Sequence, residues 1–210
     1  FTEKNLLNAY KMKTEETVKS FLTFDELKNF ENLALKDNTI CSFVQSAFLF
    51  SAKYTGLRIS DIMLLKRSDI QNGYLNVRIH KTKKLINLPL HPMAQEILSN
   101  FISLTPNRKW VFPFLPDELN EKDPITLCNQ LKSSTAYYNK ILKEVTALAG
   151  IMKKNSSHSA RNSFAIHWIQ KGKSVYILKD VFGHFSIKET EAYAKILNIS
   201  VQREIQSLWD

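Results

Sequence analysis

The sequence predicts a mainly α-helical single domain with one small antiparallel β-sheet, an α+β fold. Three observations lead there. Apolar residues recur at helical spacing along most of the chain, one β-rich stretch interrupts them, and no internal repeat or low-complexity segment divides it.

The first helix is expected to start at Thr23, where Glu26 three residues on completes a capping box. Leu27, Phe30 and Ala34 then give it an apolar side. From Thr39 to Ser51 the helical repeat is clear, with Ile40, Phe43, Val44, Ala47 and Phe48 on one face. Tyr54-Thr55-Gly56 ends that helix, with Gly56 available for a left-handed cap. A short helix over Ser60 to Leu65 follows.

The pattern then turns to β. Tyr74 to Ile79 and Leu85 to Leu88, separated by His80-Lys81-Thr82-Lys83-Lys84 and closed by Pro89, read as an antiparallel hairpin. Helix signals return from Pro92 to Phe101. Pro106, Pro113, Pro116 and Pro124 mark a loop-rich stretch. A long helix over Ile125 to Ala149 carries Tyr138, Ile141, Leu142, Val145, Leu148 and Ala149 on one face, and Gly150 stops it. Three more helices fit Ser159–Gln170, Val175–Phe182 and Ile187–Ile196. A last amphipathic one, near Ser200–Trp209, carries Val201, Ile205, Leu208 and Trp209.

At 210 residues and 44% hydrophobic content, the chain suffices for one large core or two small ones. It begins with Phe1 rather than Met and is expected to be a piece of a longer protein. No run approaches the roughly 18 apolar residues of a membrane span, so no membrane partner is expected. Residues 1–20 do not read as a secretory signal. Cys41 and Cys128 are too few and too far apart for a disulfide framework or a thiolate metal site, and a reducing cytoplasm is the expected setting. The net charge of +9 favours a polyanionic partner, because each phosphate neutralised releases condensed counterions.

Three clusters carry chemistry. In Thr55-Gly56-Leu57-Arg58-Ile59-Ser60-Asp61, Arg58 falls at a helix N-terminus, where backbone N–H groups also favour an anion. Asp61 can hold its guanidinium from behind, although a plain surface cap has the same pattern. In His158-Ser159-Ala160-Arg161, residues i and i+3 share a helix face, so His158 and Arg161 can converge on one phosphate. The third cluster is Phe182-Gly183-His184-Phe185, with Tyr193 nine residues after His184. Each cluster alone has an ordinary reading: a chance pair, a helix-capping histidine, a half-buried tyrosine.

Together they resemble the tyrosine recombinases, or phage-type integrases. That family's catalytic domain carries T-G-L-R-x-S-[DE], matched by Thr55 to Asp61, and a hairpin K-T, matched by Lys81-Thr82 before Leu85-Ile86-Asn87-Leu88-Pro89. Next come H-x-x-R, matched by His158 and Arg161, then L-G-H and a tyrosine about nine residues on, matched by Phe182-Gly183-His184 and Tyr193. The similarity runs from about Phe21 to the end. It departs at Asn162, where many relatives have a second histidine, and at Phe182, where they have leucine.

The resemblance implies that family's catalytic-domain architecture over residues 21–196. Residues 1–20 would be a linker or the end of a preceding core-binding domain, and 197–210 a tail that packs on a neighbouring protomer. It implies a transesterification on double-stranded DNA without metal, cofactor or ATP. Tyr193 attacks the phosphate and Arg58, Arg161 and His184 stabilise its charge. Lys81 protonates the leaving 5′-oxygen and His158 accepts the tyrosine proton. The implied assembly is a monomer when free and a tetramer on DNA, with accessory DNA-bending proteins as further partners. Two rivals stand beside this reading: a type IB topoisomerase, which would relax supercoils as a monomer, and a DNA-binding regulator that has lost catalysis.

Overall fold

The structure is a computed structural model and describes residues 20–196. The N-terminal linker expected over 1–20 (save Ser20) and the helix expected near Ser200–Trp209 lie outside the described residues.

Helix α1, Phe24–Asn32, begins at Thr23 with the predicted capping box: the Thr23 hydroxyl accepts the Glu26 N–H, and the Glu26 carboxylate accepts the Thr23 N–H. It stops before Ala34, which is exposed rather than on the apolar side. Helix α2, Ile40–Leu49, continues into a π-helical turn, Phe50–Thr55. Gly56 closes that turn at φ 64°, its N–H reaching back to Ser51. The short α3, Ile59–Met63, follows directly.

The hairpin forms as β2, Tyr74–Arg78, paired antiparallel with β3, Leu85–Pro89. The sequence reading missed a two-residue strand, β1, Ile70–Gln71, which pairs with β2 and makes the sheet three-stranded in the order β1-β2-β3. Leu75, Val77, Ile86 and Leu88 face inward, as the period of two requires. Helix α4 is Pro92–Leu104 and the long α5 is Pro124–Leu148. Tyr138, Ile141, Leu142 and Val145 are buried as expected, but Leu148, the last residue of the helix, is exposed.

Helix α6, Ser157–Gln170, starts from Ser156, which forms a capping box with Ser159. Helix α7 is Val175–Val181 and α8 is Lys188–Ile196. One large core joins α1–α5 and the sheet. A smaller cluster gathers Phe164, Ala165, Ile169, Leu178, Phe182 and Tyr193 from the last three helices.

The segment leading into α1 is strapped along α6. Asn162 Nδ2 donates to Ser20 O at 2.9 Å, and the Leu22 N–H donates to Ser163 Oγ at 2.8 Å. Glu26 and Lys153 add an ion pair at the same place. Asn162, one of the two departures from the resembled pattern, therefore holds the incoming chain one residue from Arg161.

Candidate active site

Arg161 is the organising residue. It is 2% exposed, and a buried guanidinium is tolerated only where hydrogen bonds replace water. Nη1 donates to Gly56 O at 2.7 Å, and Nη2 donates to Phe182 O at 3.2 Å. Nη2 also lies 2.9 Å from His184 Nε2, and the Tyr193 side chain hydrogen-bonds to the same guanidinium. Its Cζ rests 3.6 Å from the centre of the Phe182 ring, a cation–π contact. One side chain thus ties together the end of the π turn, the end of α7 and α8.

Local backbone geometry sets this up. Phe182 caps α7, Gly183 takes φ 61°, and the Gly183 and His184 N–H groups reach back to Asp180 and Lys179. This is a Schellman ending, which needs a residue without strain in the left-handed region. A Cβ on Gly183 would also sit 3.0 Å from Ile79 Cγ1 of the hairpin. His184 emerges from that turn buried, with Nδ1 2.9 Å from the Thr190 hydroxyl of α8. Tyr193, one helical turn further along α8, packs edge-on to Phe182 with ring centres 5.8 Å apart.

The site is rich in positive charge. Burial pulls the Arg161 guanidinium down to about 10, and the nearby Arg58 charge acts in the same direction. The Tyr193 phenol and the Asp61 carboxylate push back. Arg58 caps α3 at its N-terminus as expected, and its Nη1 is buried without a hydrogen-bond partner. Two guanidiniums that act on one another, one with a buried N–H lacking a partner, concentrate positive charge at this place.

Asp61 is 2% exposed and its attractions are to Arg58, Arg161 and His80. Its hydrogen bond, however, goes to the hairpin: Oδ1 accepts the His80 N–H at 2.7 Å. Burial pushes its carboxyl above the usual range despite the two arginines. Asp61 therefore anchors the hairpin turn to the arginine pair, a wider role than backing Arg58 alone.

Two expected residues sit at the rim. Lys81 is exposed in the hairpin turn 80–83, between the anchored His80 and Thr82, whose hydroxyl lies 3.8 Å from a Cβ placed on Gly183. His158 is exposed in the first turn of α6, on the face it shares with Arg161. The structure brings Arg58, Asp61, Arg161, His184 and Tyr193 together and leaves Lys81 and His158 around them.

His184 was expected to donate a hydrogen bond to phosphate. In this arrangement Nε2 accepts one from Arg161, because a guanidinium can only donate. Glu189 Oε2, 3.8 Å from the same nitrogen, offers a partner when Nε2 carries a proton. Sequence reasoning also missed two residues. Phe182 looked like an incidental replacement for leucine but forms the floor under Arg161. Thr190 went unnoticed, and nothing short of the fold would have placed it beside His184.

The profile of the phage integrase family matches residues 20–198. The tyrosine recombinase XerA of Pyrococcus furiosus is 30% identical over 88% of this chain and 60% of its own length. The chain thus spans about three-fifths of that curated relative. Among solved structures, XerA recombinase aligns with a TM-score of 0.66 at 22% identity, over 96% of this chain and 67% of that one. A lambda integrase (75–356) dimer bound to a COC′ core site aligns with a TM-score of 0.66 at 21% identity, over 91% and 64%.

Proposed function

The chain belongs to the phage integrase family, and on that premise we propose that it is the catalytic part of a site-specific DNA recombinase working through a 3′-phosphotyrosine. The observation that carries this reading is the grouping of two arginines, His184 and the Tyr193 phenol in one buried site with room in its hydrogen bonding for an anion.

The proposed step is an in-line exchange of phosphate esters. The Tyr193 oxygen forms a bond to phosphorus as the bond from phosphorus to the 5′-oxygen breaks. The phenol proton must leave as its oxygen attacks phosphorus, and His158 at the rim is the proposed acceptor. Charge growing on the non-bridging oxygens is held by Arg58 and Arg161, and by His184 once its Nε2 carries the proton. Lys81 gives its proton to the departing 5′-oxygen. The phosphotyrosine keeps the ester energy, so the reverse attack by a 5′-hydroxyl rejoins the strand.

The direct test is a nicked duplex from which the cleaved end diffuses away, its site first selected from a randomised pool. The expected result is a protein–DNA adduct that survives denaturation. A regulator without catalysis gives none, and a type IB topoisomerase relaxes supercoiled plasmid without paired sites. Lys81→Ala is expected to lower cleavage of normal DNA by about a hundredfold or more. It should recover most of its rate on a substrate with sulfur at the 5′-bridging position, a leaving group that needs no proton. Absence of that recovery would assign the acid elsewhere.

We further propose that residues 21–196 form the catalytic domain, with 1–20 as a linker and 197–210 as a tail docking on a neighbouring protomer within a tetramer on DNA. Accessory DNA-bending proteins and a phage or mobile-element setting in the cytoplasm belong to the same reading. Among the described residues no helix is long and apolar enough to cross a membrane. Deletion of 197–210 is expected to leave the melting temperature nearly unchanged while reducing paired-site complexes on native gels. A fall of many degrees would instead place the tail on its own domain.

A further inference from the structure

We propose that Thr190 is a positioning residue that lets the His184 imidazole change which nitrogen carries its proton during the reaction, an inference that rests on the recombinase reading above. Two distances set the problem. Arg161 Nη2 is 2.9 Å from Nε2, and the Thr190 hydroxyl is 2.9 Å from Nδ1. The guanidinium has no lone pair to offer, so Nε2 accepts from it. The neutral ring then carries its proton on Nδ1 and donates it to Thr190 Oγ1.

Phosphate stabilisation needs the opposite form, with the proton on Nε2 facing a non-bridging oxygen. As the anion draws the arginine N–H groups to itself, Nε2 loses its donor. Water entering with the DNA gives a proton to Nε2, and the hydroxide left behind takes the proton from Nδ1, so the ring gains one proton and loses one and the net charge is unchanged. Nδ1 then has a lone pair that needs a donor. A hydroxyl meets both requirements, because it accepts in the first state and donates in the second. A carbonyl or carboxylate at that place would only accept and would hold the proton on Nδ1. Thr190 is fully buried, so bulk water cannot take over its part.

Thr190 also stands three residues before Tyr193 on α8, on the same side of the helix. Its bond to His184 therefore helps set the rotation of α8 that presents the phenol to Arg161. Thr190 touches no reacting atom. It acts through His184 and through the seating of its own helix.

The test joins nitrogen NMR with adduct formation, using the whole chain labelled with ¹⁵N-histidine and His184 assigned through His184→Gln. Without DNA, His184 is expected to show a protonated Nδ1 and a lone-pair Nε2. Thr190→Val keeps the shape but removes the hydroxyl. The exchangeable Nδ1 proton should broaden away, and adduct formation should fall about a hundredfold or more, the scale of a lost preorganised donor. DNA binding should stay within about threefold, because the loss lies in the reaction step and not in binding. Thr190→Ser should restore both the proton signal and the rate. A wild-type His184 protonated on Nε2 without DNA overturns the proposal, as does a Val variant with the parental rate or a Ser variant as slow as Val. The wild-type and Ser arms decide even if the Val variant does not fold. A wild type that forms no adduct at all defeats the recombinase reading instead, and the NMR arm then still judges the link between Thr190 and His184.

Discussion

Tyr193→Phe is expected to fold, to bind DNA like the parent chain and to form no covalent adduct. The change removes one oxygen from a side chain that is 5% exposed and leaves the ring edge-on to Phe182, so the small core keeps its volume. The lost hydroxyl is a hydrogen-bond partner of the Arg161 guanidinium, and a bond to a charged group contributes about 1.5–3 kcal/mol. Arg161 keeps the Gly56 and Phe182 carbonyls and His184, so the net loss should fall at the low end of that range. Chemistry has no such reserve. Without the phenol oxygen no phosphate ester can form, and the adduct should fall by about 10⁴-fold or more, the scale seen when a nucleophile is deleted. A radiolabelled nicked duplex and denaturing gel measure this, and an adduct that persists would move the nucleophile to another side chain.

Gly56→Ala should be the most damaging of the glycine-to-alanine changes. Gly56 sits at φ 64°, where a side chain costs about 1–2 kcal/mol. The new Cβ would also lie 2.3 Å from Phe182 Cε1 and 2.9 Å from Phe164 Cδ1, so the rings must shift, and such overpacking typically costs about 1–3 kcal/mol. Together these predict a loss of about 2–5 kcal/mol in denaturant titration. That corresponds to a drop of roughly 4–20 °C in melting temperature for a domain of this size. Cleavage should suffer more than folding, because Phe182 carries the Arg161 guanidinium and Gly56 O holds its Nη1. Adding Phe182→Leu makes room for the methyl and should return the overpacking part but not the backbone part, a coupling that a double-mutant cycle reads directly. Simple additivity of the two changes would show that the clash does not operate.

What the sequence revealed was mostly what is local. The Thr23 cap, the Gly56 stop and the hairpin from Tyr74 to Pro89 depend on neighbours within a few residues, and each appears where the pattern put it. Features that depend on distant partners were not legible. The π turn at Phe50–Thr55 has no composition signal of its own, and β1 is two residues long. Asp61 was read with its sequence neighbour Arg58, yet its hydrogen bond crosses to His80 in the hairpin. Phe182 and Thr190 take their meaning from Arg161 and His184, which lie beside them only after α6, α7 and α8 have packed. Motif spacing identified which residue types meet. It could not tell that His184 would face Arg161 with a lone pair rather than a proton.

The two carbonyls that hold Arg161 come from chain positions on either side of it, one before α3 and one at the end of α7. No stretch shorter than Gly56 to Tyr193 holds all the groups of the proposed site. A nascent chain still lacking its last helices, or a fragment left by proteolysis, carries the arginines or the tyrosine but not their geometry. For a protein proposed to cut DNA, that dependence acts as a safeguard: the proposed site is assembled only in the finished fold and is lost as soon as the fold opens.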